Sequence, residues 1–198
     1  MIQADPNAKA FIFDMDGTMA DTMPTHFVAW TQTADKYGFK FPENLFYDWG
    51  GVPSDVILER LKKEYALDFD VKEAEEFKEN AFLELATDVQ PIEEVTDLVK
   101  HLHGNFPIAC GTGSIKETAN LILKAIGMDS YFDIVITADD IERAKPFPDM
   151  FLKCAELMGV APKDCQVFED GGAGLEAGEA AGMIVTDVKP HLYGKKAN

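Results

Sequence analysis

The chain has 198 residues, of which 46% are hydrophobic and 27% charged, a composition typical of a globular protein with one core domain and room for an insertion. Its net charge of −17 argues against nucleic acid and anionic membranes as partners, because both would repel it. The odd number of cysteines and the lack of an apolar run long enough to span a membrane lead us to expect a cytoplasmic protein with reduced thiols.

The first predicted strand, residues 10–13, leads into two carboxylates, Asp14 and Asp16, followed by Gly17. Residues two apart in an extended chain point to the same side, so both carboxylates can converge on one target. They would repel each other unless a cation lay between them, which suggests a divalent metal. Two interpretations stay open. The motif is either a plain turn, since Asp and Gly favour turns, or a nucleophile with an adjacent acid/base that forms an aspartyl phosphate.

Residues 20–88 contain no convincing strand but several helical periods, at 23–37, 54–65 and 71–86. This pattern predicts an all-helical cap domain inserted between the first and second strands. Its hinges are expected near 20–23 and 87–91, where opening would admit a substrate and closure would exclude water. The acidic residues of 68–79 alternate with apolar ones at helical spacing and are interpreted as a solvated helix face.

After the cap, strand-like runs alternate with helical patterns, which indicates an α/β fold with a doubly wound, Rossmann-like parallel sheet. The strands are predicted at 108–111, 134–137, 165–168 and 184–187, and the helices at 92–103, 114–127, 148–158 and 173–181. We therefore divide the chain into a core of residues 1–19 and 90–198 and a cap of residues 20–89. Ligands of such sheets bind beyond the carboxyl ends of the strands.

After the cap, three further groups of polar residues are predicted to lie at the carboxyl ends of the strands. Thr112 and Gly113 offer a hydroxyl and exposed N–H groups that suit phosphate oxygens. Lys145 precedes a proline-rich turn that fixes its direction at the start of a helix. Glu169 and Asp170 form a second carboxylate pair at a strand end, which taken alone suits a helix cap as well as a metal site.

Together, in this order, these motifs resemble the haloacid dehalogenase-like hydrolase superfamily over nearly the whole chain. Within it the chain is similar to the β-phosphoglucomutase-like group, and most of all to small bacterial fructose-1-phosphate phosphatases. The resemblance implies Asp14 as nucleophile and Asp16 as general acid/base. True dehalogenases have tyrosine at the position of Asp16, so the resemblance argues against dehalogenation. It further implies phosphate binding by Thr112, Gly113 and Lys145, Mg²⁺ binding by Asp14, the Asp16 carbonyl, Glu169 and Asp170, and a place for His26 near the cleft between cap and core.

The resemblance leaves open which phosphate ester is used. Related mutases carry a cap arginine and a later cap lysine that grip a second phosphate, but here Ser54 occupies the first region, and Leu83 and Glu84 the second. This difference favours hydrolysis of a small sugar phosphate such as fructose 1-phosphate by a monomeric enzyme. A β-phosphoglucomutase-type mutase and a phosphoglycolate phosphatase are the alternatives.

Two further classes of function must be considered. Residues 172–177 are rich in glycine and alanine after a predicted strand, as in the dinucleotide-binding fingerprint of a nicotinamide-dependent oxidoreductase. That fingerprint leaves the other motifs unexplained, and close packing of a helix on the sheet accounts for the small residues as well. A non-catalytic module that binds a phosphorylated metabolite is the other alternative. The complete set of acids and lysine argues against it.

Overall fold

A five-stranded parallel sheet forms the centre of the core in the computed structural model, which describes residues 2–50 and 52–193. The strands are β1 (Ala10–Phe13), β2 (Ile108–Gly111), β3 (Val135–Ile136), β4 (Cys165–Glu169) and β5 (Ile184–Asp187). Their order across the sheet is β3-β2-β1-β4-β5, so β1 lies in the middle. The predicted α/β class with a parallel sheet is confirmed.

Continuous apolar sequence explains why these segments form interior strands. All residues of β1, β2 and β4 are buried, as expected for a parallel sheet covered by helices on both faces. Successive side chains point to opposite faces, so Phe11 and Phe13 join one hydrophobic cluster while Ile12 joins another. Strand β3 is shorter than predicted, although Ile134 still accepts a hydrogen bond from the Cys110 amide at 2.9 Å.

Four α-helices fall within residues 20–89, the part of the chain that the sequence assigns to a helical cap. They are α1 (Met23–Tyr37), α2 (Glu43–Asp48), α3 (Ser54–Glu64) and α4 (Val71–Leu85). Helix α4 begins where the carboxylate of Asp70 accepts a hydrogen bond from the Glu73 amide at 2.9 Å, and α1 ends at Gly38 in a left-handed conformation. The short α2 was not predicted, because six residues are too few to show a helical period.

The cap has a hydrophobic core of its own, separate from the two clusters on the faces of the sheet. It contains the buried side chains of Trp30, Phe41, Phe46, Leu58 and Leu61. The chain passes from core to cap and back again through two adjacent segments, which are joined by backbone hydrogen bonds. The Asp21 amide donates to Gln90 O at 2.9 Å, and the Ile92 amide donates to Met19 O at 2.8 Å. The predicted hinges fall in these segments, while hinge motion and the domain boundaries at 19/20 and 89/90 stay predictions.

The remaining helices cover the sheet. They are α5 (Glu93–Leu102), α6 (Lys116–Ala125), α7 (Asp149–Met158), α8 (Gly172–Ala180) and α9 (Lys189–Tyr193). Within residues 2–50 and 52–193, no helix combines the length and apolar character that a membrane span requires.

Candidate active site

The sheet brings the sequence motifs to one edge. Asp14 directly follows β1, Thr112 follows β2, and Asp170 follows β4, and these three strands are neighbours. Because parallel strands end at the same edge, residues far apart in sequence meet there. Lys145 arrives from the loop that precedes α7.

Lys145 links two of the carboxylates. Its Nζ lies 2.6 Å from Oδ1 of Asp14 and 2.8 Å from Oε1 of Glu169, and all three side chains are buried. Burial alone would lower the pKa of Lys145, but Asp14 and Glu169 outweigh it and raise the pKa above its ordinary value. The ammonium group therefore stays charged and offsets part of the negative charge of the site.

Three buried carboxylates form a cluster that fits a divalent cation. Asp14, Glu169 and Asp170 each offer an oxygen, and these atoms lie within 4.8 Å of one another. Burial raises the pKa of Asp14 well above its usual range, and Glu169 adds to the rise while Lys145 opposes it. Burial, followed by the charge of Glu169, raises the pKa of Asp170 to about 6. Lys145 and Lys189, whose Nζ lies 3.6 Å from Oδ2 of Asp170, do not fully balance three carboxylates, and hard oxygen ligands of this kind suit Mg²⁺.

The carboxylate of Asp16 lies apart from this cluster and is held by hydroxyl groups. Its Oδ2 accepts from Ser114 Oγ at 2.8 Å and from Thr112 Oγ1 at 3.1 Å, while its Oδ1 accepts from Thr22 Oγ1 at 2.9 Å. His26 Nε2 is 3.5 Å from the same Oδ1. Burial would raise the pKa of Asp16, but the hydrogen bond with His26 and those from the hydroxyls lower it to about 2. In this arrangement Asp16 is ionised at neutral pH.

His26 connects Asp16 to the cap. Its ring stacks on Phe82 of α4, with centroids 3.9 Å apart, and its Nδ1 lies 3.3 Å from Nζ of Lys78. Burial, and next the charge of Lys78, lower the pKa of His26, although Asp16 opposes this shift. A neutral ring can donate through Nε2 to Asp16 and accept from Lys78 through Nδ1.

Of the two residues predicted to bind phosphate after β2, only one is accessible. Gly113 lines the cavity described below, and no heavy atom lies within 4 Å of the position that a Cβ would take there. Thr112 is fully buried; its hydroxyl donates to Asp16 and accepts from the Ser114 amide at 3.1 Å.

Two glycines, Gly17 and Gly174, leave space for the side chains of the second carboxylate pair, Asp170 and Glu169. Gly17 has φ of +83°, a conformation that favours glycine, and a Cβ there would lie 2.7 Å from Oδ2 of Asp170. The Glu169 carboxylate accepts from the Gly171 amide and lies across Gly174 at the start of α8. Gly174 of the glycine-rich segment 172–177 thus makes room for an acidic side chain of the site, which gives this glycine a purpose that does not require a dinucleotide.

A cavity of about 750 Å³ lies between the core and the cap. The core contributes Asp14, Asp16, Lys145, Glu169 and Asp170 to its wall. The cap contributes His26, the aromatic side chains of Trp30, Phe46 and Trp49, and the charged residues Asp55, Lys72, Glu75, Glu76, Lys78 and Glu79. All of the predicted site residues except Thr112 therefore line one space large enough for a small metabolite.

The structure adds detail to two interpretations of the cap. Helix α4 presents Lys78 and Lys72 to the cavity, although neither lies at Leu83 or Glu84, the region compared with the mutase lysine. From the acidic run, Glu75, Glu76 and Glu79 line the cavity. The sequence shows helical spacing but does not show which face of α4 turns toward the core.

Sequence reasoning also missed Ser114, Thr22 and Lys78 as neighbours of the site. A second hydroxyl two residues after Thr112 was a usable signal for Ser114. Thr22 and Lys78 were harder to find, because their contacts with Asp16 and His26 depend on how the cap sits on the core.

Comparison with known proteins agrees with this geometry. Residues 8–182 match the family model described as haloacid dehalogenase-like hydrolase. The chain belongs to that family. It is 40% identical over 179 residues to fructose-1-phosphate phosphatase YqaB of Escherichia coli (strain K12), covering 90% of this chain and 95% of the relative. It is 31% identical to a phosphorylated carbohydrates phosphatase of Thermotoga maritima, covering 88% of this chain and 82% of the relative.

Solved structures show the same fold. β-Phosphoglucomutase from Clostridium difficile superposes with a TM-score of 0.80 at 24% identity, covering 96% of this chain and 95% of that one. A hydrolase from Pseudomonas syringae gives a TM-score of 0.82 at 23% identity, covering 90% and 84%. The predicted family is confirmed, and the family match with the named phosphatases supports a phosphoric monoester hydrolase.

Proposed function

We propose that this protein is a Mg²⁺-dependent phosphatase of small phosphorylated metabolites, with fructose 1-phosphate as the first candidate substrate. The observation that carries the proposal is the buried cluster of Asp14, Glu169 and Asp170 beside Lys145, at the wall of a cavity of about 750 Å³. A phosphate monoester brings roughly two negative charges, so it needs cations at such a site. The named phosphatase relatives support the same activity.

Asp14 is the proposed nucleophile, and Asp14, Glu169 and Asp170, with the backbone carbonyl of Asp16, would hold Mg²⁺. The metal would supply positive charge to the transferring phosphoryl group, and Lys145 would add to it. An Asp14 oxygen forms a bond to phosphorus while the bond to the sugar oxygen breaks, which leaves a phosphoaspartate. Water then hydrolyses that intermediate to release phosphate and regenerate the carboxylate.

Asp16 is the proposed proton carrier. The departing sugar oxygen needs a proton, and the attacking water must later lose one, so a single carboxylate can serve both steps. Asp16 is ionised while Ser114, Thr22 and His26 hold it, which suits the second step. For the first step it must take up a proton, and a substrate that displaces one of these hydrogen bonds would raise its pKa toward that requirement.

Thr112, Gly113 and Lys145 are proposed to contact the phosphate, and His26 to adjoin the substrate. Gly113 is open to the cavity, and Lys145 lies beside the nucleophile, so both are well placed. Thr112 is buried against Asp16 and would act mainly by fixing the loop that carries Gly113. His26 faces the cavity between Asp16 and Lys78.

A phosphomutase is the second candidate, because Lys78 and Lys72 line the cap side of the cavity. A mutase must hold a second phosphate while the first is transferred. Lys78 already contacts Glu79 at 2.8 Å, and Arg60 lies over the Trp49 ring and is not part of the cavity wall. Simple hydrolysis is therefore favoured.

We also propose that the protein is cytoplasmic and monomeric, as predicted from the sequence.

The experiment is phosphate release from an aryl phosphate and from a panel of sugar phosphates, with Mg²⁺ and with EDTA. We expect wild-type activity that EDTA abolishes and that Asp14→Asn lowers by at least about a thousandfold. Asp97→Asn, an exposed carboxylate on α5, is the control and should keep full activity. Folded wild-type protein that releases no phosphate from any ester would overturn the proposal, and NAD binding would then favour the oxidoreductase.

A further inference from the structure

The two ends of the cavity differ in how their negative charge is balanced. At the core end, Lys145 lies between Asp14 and Glu169, and the cluster is suited to a divalent cation. At the cap end, four carboxylates face two lysines; the carboxylates are Asp55, Glu75, Glu76 and Glu79, and the lysines are Lys72 and Lys78. The cap end is therefore negative on balance, with no comparable metal cluster among the described residues.

Lys78 contributes little free positive charge to the cavity. Its Nζ is 2.8 Å from Oε1 of Glu79 and 3.3 Å from Nδ1 of His26, and the residue is only 3% exposed. The ring centroids of Trp30 and Phe82 each lie 5.7 Å from the ammonium. A buried amine held in this way has its charge matched by Glu79 and its donors directed to fixed partners.

Glu75 is a half-buried carboxylate of α4 that lines the cavity together with Lys78. Burial raises the pKa of Glu75, and the nearby charges of Asp55 and Glu79 raise it further. Glu75 thus lies among like charges on the cap side of the cavity. Ser54 donates to Glu79 at 3.4 Å and also lines the cavity, so the wall offers hydroxyl and carboxylate oxygens. Such oxygens accept hydrogen bonds from sugar hydroxyls or from an ammonium group.

From this charge distribution we propose that the cavity selects phosphate monoesters whose remaining part is uncharged or positively charged, and that Glu75 determines this selectivity by repelling a second anionic group. The proposal rests on the proposed function and narrows its substrate class to neutral polyol or amino-sugar monophosphates. A substrate anchored by its phosphate at Asp14 and Lys145 extends toward the cap. A second phosphate or a carboxylate there would meet Glu75 and its acidic neighbours.

The size of the effect follows from Coulomb's law. One like-charge pair separated by about 8 Å at an effective dielectric constant near 20 weakens binding by roughly tenfold or more. Salt screens partly exposed charges over about 10 Å at 0.1 M, so the selectivity should diminish as ionic strength rises.

The test compares fructose 1-phosphate with fructose 1,6-bisphosphate, which differ by one distal phosphate. Binding is measured by calorimetry with Mg²⁺ in an Asp14→Asn background, which blocks turnover. The variants are Asp14→Asn alone and the same protein with Glu75→Gln or Glu84→Gln. Glu84 lies on the same helix, is exposed and is not part of the cavity wall, so it is the matched control.

We expect Asp14→Asn to bind the monophosphate at least about tenfold more tightly than the bisphosphate. Glu75→Gln should reduce that preference by roughly three- to tenfold, and Glu84→Gln should leave it unchanged. Equal affinity for both esters, binding of neither, or an equal effect of the two glutamine substitutions would overturn the proposal. Phosphate release by wild type from an aryl phosphate is measured in parallel, so a failure of the selectivity is distinguished from a failure of the phosphatase function.

Discussion

The carboxylate of Glu169 fills the space above Gly174 where a side chain would begin. A Cβ at position 174 would lie 2.7 Å from Cγ of Glu169 and still closer to its carboxylate group. Gly172, two residues earlier in the same helix, has no neighbour within 4 Å of its Cβ position. Alanine substitutions at Gly174 and Gly172 can therefore be compared to test whether the position of the Glu169 carboxylate affects activity.

We predict that Gly174→Ala displaces Glu169 and lowers phosphatase activity by roughly 10- to 100-fold, the usual cost of disturbing residues that orient a metal site. Gly172→Ala should keep its activity and, since alanine favours helices, should be equally or slightly more stable. Phosphate release and thermal unfolding of both variants check this. Equal activity of the two alanine variants would show that the contact is unimportant.

Removal of Lys145 should destabilise the protein, because it leaves buried carboxylates without their counter-charge. We expect Lys145→Met to lower the free energy of unfolding by about 3–5 kcal/mol in EDTA, and Mg²⁺ to restore part of the loss. The control is Lys9→Met, which breaks an exposed pair with Asp164 and should cost at most about 1 kcal/mol. Urea unfolding with and without Mg²⁺ measures both, and similar losses in the two variants would contradict the expectation.

Metal affinity should depend on pH through Asp170, whose pKa is raised to about 6. Above that pH the carboxylate is ionised and available as a ligand, whereas below it a proton competes with the metal. We therefore predict that Mg²⁺ affinity, measured by calorimetry, is about tenfold weaker at pH 5 than at pH 7.5. Asp170→Asn should bind weakly at both values, and an affinity of wild type that does not change over this range would refute the assignment.

His26 should control the ionisation of Asp16. Burial favours the neutral acid, and the hydrogen bond with His26 is the leading interaction that reverses this and brings the pKa of Asp16 to about 2. His26→Ala should therefore raise the pKa of Asp16 and move to higher pH the alkaline limb of the kcat/KM profile, where Asp16 loses the proton that the first step requires. Thr22→Val removes a hydrogen bond of lesser effect and should move the limb less. A limb that stays in place in His26→Ala would contradict this role.

The core and its motifs could be predicted from sequence because each motif follows a buried apolar strand, and parallel strands end together. This rule predicts that Asp14, Thr112, Glu169 and Asp170 lie at one edge of the sheet, as the strand order shows. The strand limits were also close, except at β3, where only two residues make the ladder.

What could not be predicted depends on packing between segments distant in the chain. The cavity side of α4 is decided by how the cap meets the core, so neither the burial of Lys78 nor the position of Glu75 is visible in a helical period. The hydroxyl groups around Asp16 come from residues on both sides of the cap insertion, Thr22 and Ser114. Helix α2 was missed because it is too short to be periodic.

The central place of β1 has a consequence for synthesis of the protein. This strand leaves the ribosome first, yet its two partners come much later in the chain, since Phe13 pairs with Cys110 on one side and with Phe168 on the other. At usual rates of translation the second partner follows on the order of ten seconds or more after the first strand. Until then an apolar strand has an open edge, a form of exposure that promotes aggregation. A growing chain therefore lacks an assembled site until β4 has emerged, and the time between the emergence of β1 and that of β4 is the interval in which a chaperone could shield β1.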